Sequence, residues 1–212
     1  MKTNIFTITC ILTFLLVGSE VMAKSVFDGF VLTNDNEKIV GKVYVISPTF
    51  NELKVKFINE AGKKQTFKAK ELQSYSFEVP KYNKATKSYG TETITYIRKV
   101  VEDAPVRMGS KDVLIERQVN GDIQVYNQYI EQDAKIGGTI GHFFYVEKSN
   151  GSVEFTKVTK KNYKKVMKSA TVEFPELSIK VGTSGFGYKH IVKIAKLYNN
   201  QMSRTQDLAM VN

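Results

Sequence analysis

Residues 113–129 read VLIERQV (113–119), NGD (120–122) and IQVYNQY (123–129), and this stretch decides the fold. Two runs rich in β-branched and aromatic residues flank Asn120-Gly121. Asn-Gly is the preferred centre of a tight hairpin, because a type I′ turn needs positive φ at both central positions, where Asn and Gly suffer least. The stretch predicts an antiparallel hairpin. The pattern repeats downstream, where His142 to Glu147 and Val153 to Val158 flank Asn150-Gly151.

Upstream, the text from Val26 to Val79 is a series of short β-prone runs cut by turn signals. Val26 to Leu32 meets Asn34-Asp35-Asn36, Ile39 to Ile46 stops at Pro48, and Leu53 to Ile58 returns through Asn59-Glu60-Ala61-Gly62 into Gln65 to Ala69. A fifth run, Leu72 to Val79, ends at Pro80. Five such strands suit a small barrel or sandwich that removes its own edges. Residues 81–90 are polar and turn-rich, with Lys81, Lys84 and Lys87 evenly spaced, and read as a linker or long loop. Strand text resumes from Thr91 to Val101 and breaks at Pro105.

After Val158 the period changes from two to 3.6. Tyr163, Val166, Met167 and Ala170 form one apolar stripe of a helix, and Ile191, Ile194, Ala195 and Tyr198 repeat the spacing. Between them Phe174-Pro175-Glu176-Leu177 reads as a helix start with proline at its first position. The expected fold class is α+β: an antiparallel β-rich part, a small barrel or sandwich plus hairpins, followed by C-terminal helices over one face or end of the sheet. The expected organisation is a barrel or sandwich over 24–80, the linker over 81–90, hairpins and helices over 91–202, and a flexible tail over 203–212.

At the other end, Lys2 precedes an uncharged, mostly apolar run from Ile5 to Val17, then Gly18-Ser19-Glu20 and Val21-Met22-Ala23. These are the three regions of a secretory signal peptide, over residues 1–23, with cleavage after Ala23. The apolar run is too short to span a bilayer, which takes roughly 20 residues. Cys10, the single cysteine, leaves with the signal, and Thr7-Ile8-Thr9 before it is no lipobox, so the exported chain has no disulfide, thiol nucleophile or thiolate metal site. The expected location is periplasmic, cell-envelope associated or secreted.

The formal charge is +10, and cleavage leaves it unchanged because one base and one acid depart together. Such a surplus favours anionic partners. Export sets nucleic acid aside, leaving anionic lipid headgroups, an acidic glycan or an acidic protein surface; no other segment is long and apolar enough for an integral membrane protein.

The motifs of common chemistries are missing. His142 and His190 lack any His-x-x-His or His-Glu-x-x-His spacing, so no metal or other cofactor is expected. Ser184 in Gly182-Thr183-Ser184-Gly185 lacks the second glycine of a nucleophile elbow, since Phe186 stands there. Gly137-Gly138-Thr139-Ile140-Gly141 lacks the Gly-Lys-Ser/Thr ending of a phosphate loop. Glu116, mid-strand, and Glu131 and Asp133, placed in the loop after a strand, are the acids a glycosidase would have to pair. Without tryptophan, sugar stacking would fall to the eleven tyrosines. No catalytic residue is assigned.

The frame Gly29 to Val45 with Val40-Gly41-Lys42-Val43, the run Phe67-x-Ala69-x-Glu71-Leu72-x-x-Tyr75, the Asn120-Gly121 hairpin and the ending Ile194 to Asn199 together resemble a family of exported β-rich proteins common in Bacteroidota, to which no activity is assigned. The resemblance implies export and supplies no site residues.

One charge pattern remains. Lys157, Lys160, Lys161, Lys164, Lys165 and Lys168 fall in two rows at i, i+4, i+8, beside the stripe of Tyr163, Val166 and Met167. Like charges at that spacing cost a helix roughly 0.2–0.5 kcal/mol per pair, so the cluster opposes stability and suits an anionic partner; the plainer reading is the solvated outer face of an amphipathic helix. The expected function is a non-enzymatic, exported cell-envelope domain that binds or scaffolds, the alternative an envelope hydrolase acting on a glycan or ester. If residues 1–23 direct export, the protein recovered from its native host starts at Lys24 by intact mass; an uncleaved Met1 start in the membrane fraction overturns that expectation.

Overall fold

The computed structural model describes residues 25–102, 111–131 and 140–210. The signal segment, Pro105, Asp133 and Gly137-Gly138-Thr139 lie outside the described residues. Ten strands form one antiparallel sheet in the order β10-β9-β8-β7-β6-β5-β1-β2-β3-β4. They are β1 Ser25–Thr33, β2 Lys38–Val45, β3 Lys54–Asn59, β4 Lys64–Lys68 and β5 Leu72–Asn83. Then come β6 Ser88–Val100, β7 Asp112–Val119, β8 Ile123–Glu131, β9 Ile140–Lys148 and β10 Thr156–Val158. Helix α1, Pro48–Leu53, interrupts the strands, and α2 Tyr163–Ala170, α3 Pro175–Lys180 and α4 Ile191–Met210 follow them.

The mostly antiparallel sheet with C-terminal helices agrees with the α+β expectation. The barrel or sandwich over 24–80 does not form: the sheet is open, and β1 joins β5 and thereby the second half of the chain. Nor do residues 81–90 link two units. They are the far end of β5, a turn and the start of β6, in register from Ser74↔Ile97 to Asn83↔Ser88. Pro80 does not end its strand, because β1 leaves β5 at Phe77 and a proline's missing N–H is tolerated on an open edge. Residues 203–210, expected in a frayed tail, continue α4, with the Ser203 hydroxyl donating to the Asn199 carbonyl and that of Thr205 to Gln201.

Pro48, read as a strand stop, is also the first residue of α1. Ser47 caps that helix, its hydroxyl accepting from the Phe50 N–H at 3.1 Å. Neither Asn-Gly pair forms a type I′ turn, since Gly121 and Gly151 have positive φ but their asparagines do not.

Side-chain alternation gives the sheet two faces. On one, Val125, Val146 and Val158 pack against Met167, Ile191, Ile194 and Tyr198, all fully buried. Following the register Asn127↔Glu116↔Tyr96↔Tyr75↔Val31, the same face continues into a second core of Leu114, Tyr96, Tyr75, Phe77, Val43 and Phe57. Tyr75 and Tyr96 stack there at 4.7 Å. Helix α1 follows β2, yet it packs on β7 and β8 four and five strands away in the sheet, so the sheet curls around it. The opposite face carries Val113, Ile115, Tyr126 and Tyr145, with Phe155 stacked over Tyr145.

Helix α4 grips the β7–β8 turn through Asn199. Its Oδ1 accepts from the Ile123 N–H at 2.9 Å, and its Nδ2 donates to the carbonyls of Ile123 and Asn120. A Cβ at Gly121 would stand 2.4 Å from that Nδ2, at a φ of +141°. Asn199→Ala leaves these half-buried backbone groups unpaired and should lower unfolding free energy by about 1–3 kcal/mol in urea; a change within error overturns the clasp.

Candidate functional site

The six lysines do not share one helix. Lys157 is on β10, with its ammonium 4.0 Å above the Phe143 ring on the sheet face away from the helices. The strand alternation decides this: Lys157 pairs with Tyr145 and takes its face, while Val158 takes the helix side. Lys160 and Lys161 occupy the turn into α2, where Thr159 and Asn162 bond each other. Lys164, Lys165 and Lys168 are on α2, so the rows at i, i+4, i+8 shrink to the one pair Lys164–Lys168.

Five of the six are exposed, all but half-buried Lys157, and none joins an ion pair among the described residues. The Lys164 stem lies over Gly182 (φ +96°), where a Cβ would stand 2.6 Å from its Cε. The wider layer is more basic than the cluster alone. Residues 157–210 hold eleven Lys and Arg against three Asp and Glu, most of the +10 charge of the chain. Among the described residues three large apolar side chains also face solvent here, Val172 at 60 % and Ile179 at 74 % exposure and, less so, Leu197.

A second constellation was visible in the sequence only at Glu116; Glu52 and Tyr129 carried no signal there. Tyr129 joins two carboxyls: its N–H donates to Glu52 Oε1 at 2.6 Å and its hydroxyl to Glu116 Oε2 at 2.7 Å. Glu52, from α1, is fully buried and its Oε2 has no hydrogen-bond partner. Burial pushes its carboxyl up to about 8, the Tyr129 N–H pulls it down, and the charge of Glu116 adds to the rise. Glu116 is also raised, by burial first, against hydrogen bonds from Tyr129, Asn127 and Gln118. Glu52 thus keeps its proton at neutral pH, beside a second carboxyl whose proton affinity is also raised. Glu131 is the last residue of β8, paired with Ile140, and not in a loop.

Elsewhere, His142 is exposed with its ring edge-on to Phe144, His190 is exposed in a short 3₁₀ turn before α4, and Ser184 is in an exposed turn. Among the described residues no three His, Cys, Asp or Glu gather as metal ligands. An open recess of about 470 Å³ lies between Asn34, Gln73 and Arg98, away from the acid pair. No family model matches the chain, and no curated protein or solved structure matches it.

The acid pair sets a pH dependence. Glu52 holds its proton more tightly folded than unfolded, so its contribution to stability is full below about pH 4.5 and is lost as pH rises to about 8. At about 1.36 kcal/mol per unit the loss is bounded at roughly 5 kcal/mol. Glu52→Gln keeps an acceptor for Tyr129 and cannot ionise. Urea unfolding between pH 5 and 9 should give a flatter profile for this variant and make it the more stable protein at pH 9; parallel profiles refute the shift.

Proposed function

We propose that this chain is an exported, non-enzymatic cell-envelope domain that binds an anionic partner through its helical layer, in keeping with the secretory signal and the family resemblance in its sequence. The observation that carries the reading is the row of exposed lysines without acidic partners from Lys160 to Lys168, in a layer that bears most of the positive charge. Coulomb attraction from such a surface extends over a Debye length, about 8 Å at physiological salt, and needs no pocket.

Among anionic partners a lipid headgroup surface fits best. Val172 and Ile179 stand exposed within the same layer, and apolar side chains beside lysines are the chemistry of docking in a membrane interface. No helix among the described residues is long and apolar enough to cross a bilayer, which suits attachment from one side. Nucleic acid is no partner in this reading.

The alternative, an envelope hydrolase acting on a glycan or ester, has the raised carboxyls of Glu52 and Glu116 in its favour. They come from α1 and β7. Substrate would have to reach a carboxyl that is fully buried.

Replacing Lys160, Lys164 and Lys168 together by Gln removes three exposed charges and one like-charge pair, so stability should hold or rise slightly. Sedimentation with vesicles rich in anionic lipid should show salt-sensitive binding by the wild type and at least tenfold weaker binding by the triple variant. Equal binding to zwitterionic vesicles, or a variant that binds unchanged, refutes the reading.

A further inference from the structure

The two longest strands outrun their neighbours. β5 and β6 stay in register to Asn83↔Ser88, whereas β1 leaves β5 at Phe77 and β7 leaves β6 at Tyr96. Six residue pairs, from Glu78↔Thr93 to Asn83↔Ser88, therefore project as a ribbon with no third strand among the described residues. At 3.4 Å per residue the projection is roughly 17 Å long. A free two-stranded ribbon is marginal in water, and this one has local supports: the Lys81–Glu92 ion pair at 2.5 Å and the Asn83 side chain, which accepts from the Ala85 N–H in the turn.

Tyr82 and Tyr89 face each other across the ribbon tip, their ring centroids 5.1 Å apart, with 48 % and 78 % of their surfaces exposed. Two large rings held in water at the end of a projection do not serve the core. Alternation puts Thr91 and Thr93 on their face, opposite Pro80 and the exposed Glu78, and further in come buried Ser76 and half-buried Thr95, whose hydroxyls bond at 2.9 Å. The strip thus carries two aromatic platforms followed by the Thr91 and Thr93 hydroxyls on β6, with Pro80 and one carboxylate, Glu78, beside them on β5. An open recess of about 490 Å³ borders Tyr82 and Thr91 but not Tyr89, and is lined also by Lys81, Asn83, Ser88 and Gly90, which alternation places on the opposite face of the ribbon. Lys84 and Lys87 at the turn are exposed and join no ion pair among the described residues.

The geometry points to a binding arm for a linear acidic polysaccharide. Two strands about 4.8 Å apart and some 17 Å long present on the order of 200 Å², far below the roughly 800 Å² per partner of a stable protein interface. A polymer one sugar wide matches that strip. The apolar face of a pyranose ring stacks on each tyrosine, the threonine hydroxyls meet sugar hydroxyls, and Lys84 and Lys87 meet the carboxylates of the chain. This site is separate in sequence and place from the lysines of α2.

Native gels cast with polygalacturonate, with neutral dextran as control, test the arm on the full purified chain. Wild type should be retarded by polygalacturonate and not by dextran. Tyr82→Ala with Tyr89→Ala should weaken the retardation at least tenfold, and Tyr82→Phe with Tyr89→Phe should keep most of it because the rings remain. The triple glutamine variant of Lys160, Lys164 and Lys168 should be retarded like the wild type, so loss there and not in the tyrosine variant assigns the binding to the helical layer and overturns the arm. A wild type that ignores polygalacturonate also overturns it. So does a wild-type dimer, by light scattering, that the alanine variant converts to monomer, because the strip is then a protein interface. An unchanged thermal melt of the alanine variant confirms that binding and not folding was lost; if it melts early, the phenylalanine pair and Lys84→Gln with Lys87→Gln decide, the first retaining and the second weakening retardation.

Discussion

Lys148 puts a positive charge where water does not reach, and the joining of helices to sheet depends on how that charge is met. Its side chain has no exposed surface, and removing an ammonium from water costs several kcal/mol unless partners replace the solvent. Glu173, between α2 and α3, makes the direct ion pair; Asp122, in the β7–β8 turn, stands at 4.0 Å; and the Tyr198 ring of α4 lies under the ammonium at 4.9 Å. Tyr198 also donates its hydroxyl to Asp122 at 3.0 Å. Burial alone would raise the Glu173 carboxyl, but the hydrogen bond and charge of Lys148 outweigh it and hold the group below its usual range. One cation thus fixes the end of β9, a hairpin turn and two helical segments at one point. The apolar stripes of α2 and α4 supply most of the attraction, and the charged node selects how they are seated.

The other half of the molecule is held by curvature. An open sheet of ten strands leaves its first five with no helical layer, and α1, only six residues long, does that work because the sheet bends until β7 and β8 reach it. The bend forces the acid of α1 inward beside Glu116. Asn51 and Glu52 replace strand hydrogen bonds at the seam: Asn51 accepts from the Ile46 N–H and donates to the Tyr44 carbonyl, while Glu52 takes the Tyr129 N–H. A protonated Glu52 meets this demand without enclosing a second charge.

Its surfaces divide the protein by chemistry. The helical layer is broad and basic with apolar points, suited to a flat anionic surface, whereas the β5–β6 ribbon is narrow and aromatic, suited to a thin chain. Both follow from the one sheet: its length at β5 and β6 makes the ribbon, and its helix-covered end turns the lysines outward.

The sequence by itself determined whatever depends on neighbours along the chain. The stripe of Tyr163, Met167 and Ala170 and that of Ile191, Ile194 and Tyr198 are helices with those residues buried, because a 3.6-residue period allows no other way to gather them on one side. The strands around Asn120-Gly121 are legible for the same local reason. Of the candidate sites, the lysines of α2 could be read because exposure follows from the stripe opposite them. Tertiary structure alone decided the rest. That β1 pairs with β5, and that Pro80 lies on an open edge, are facts of strand order, which hydrophobic alternation does not encode. Glu52, Glu116 and Tyr129 are 64 and 13 residues apart in turn; Glu116 stands out only as a mid-strand acid, and neither Glu52 nor Tyr129 is marked by its own segment. Only the curl of the sheet brings them within hydrogen-bond reach, and only the loss of water there turns three ordinary side chains into a coupled group.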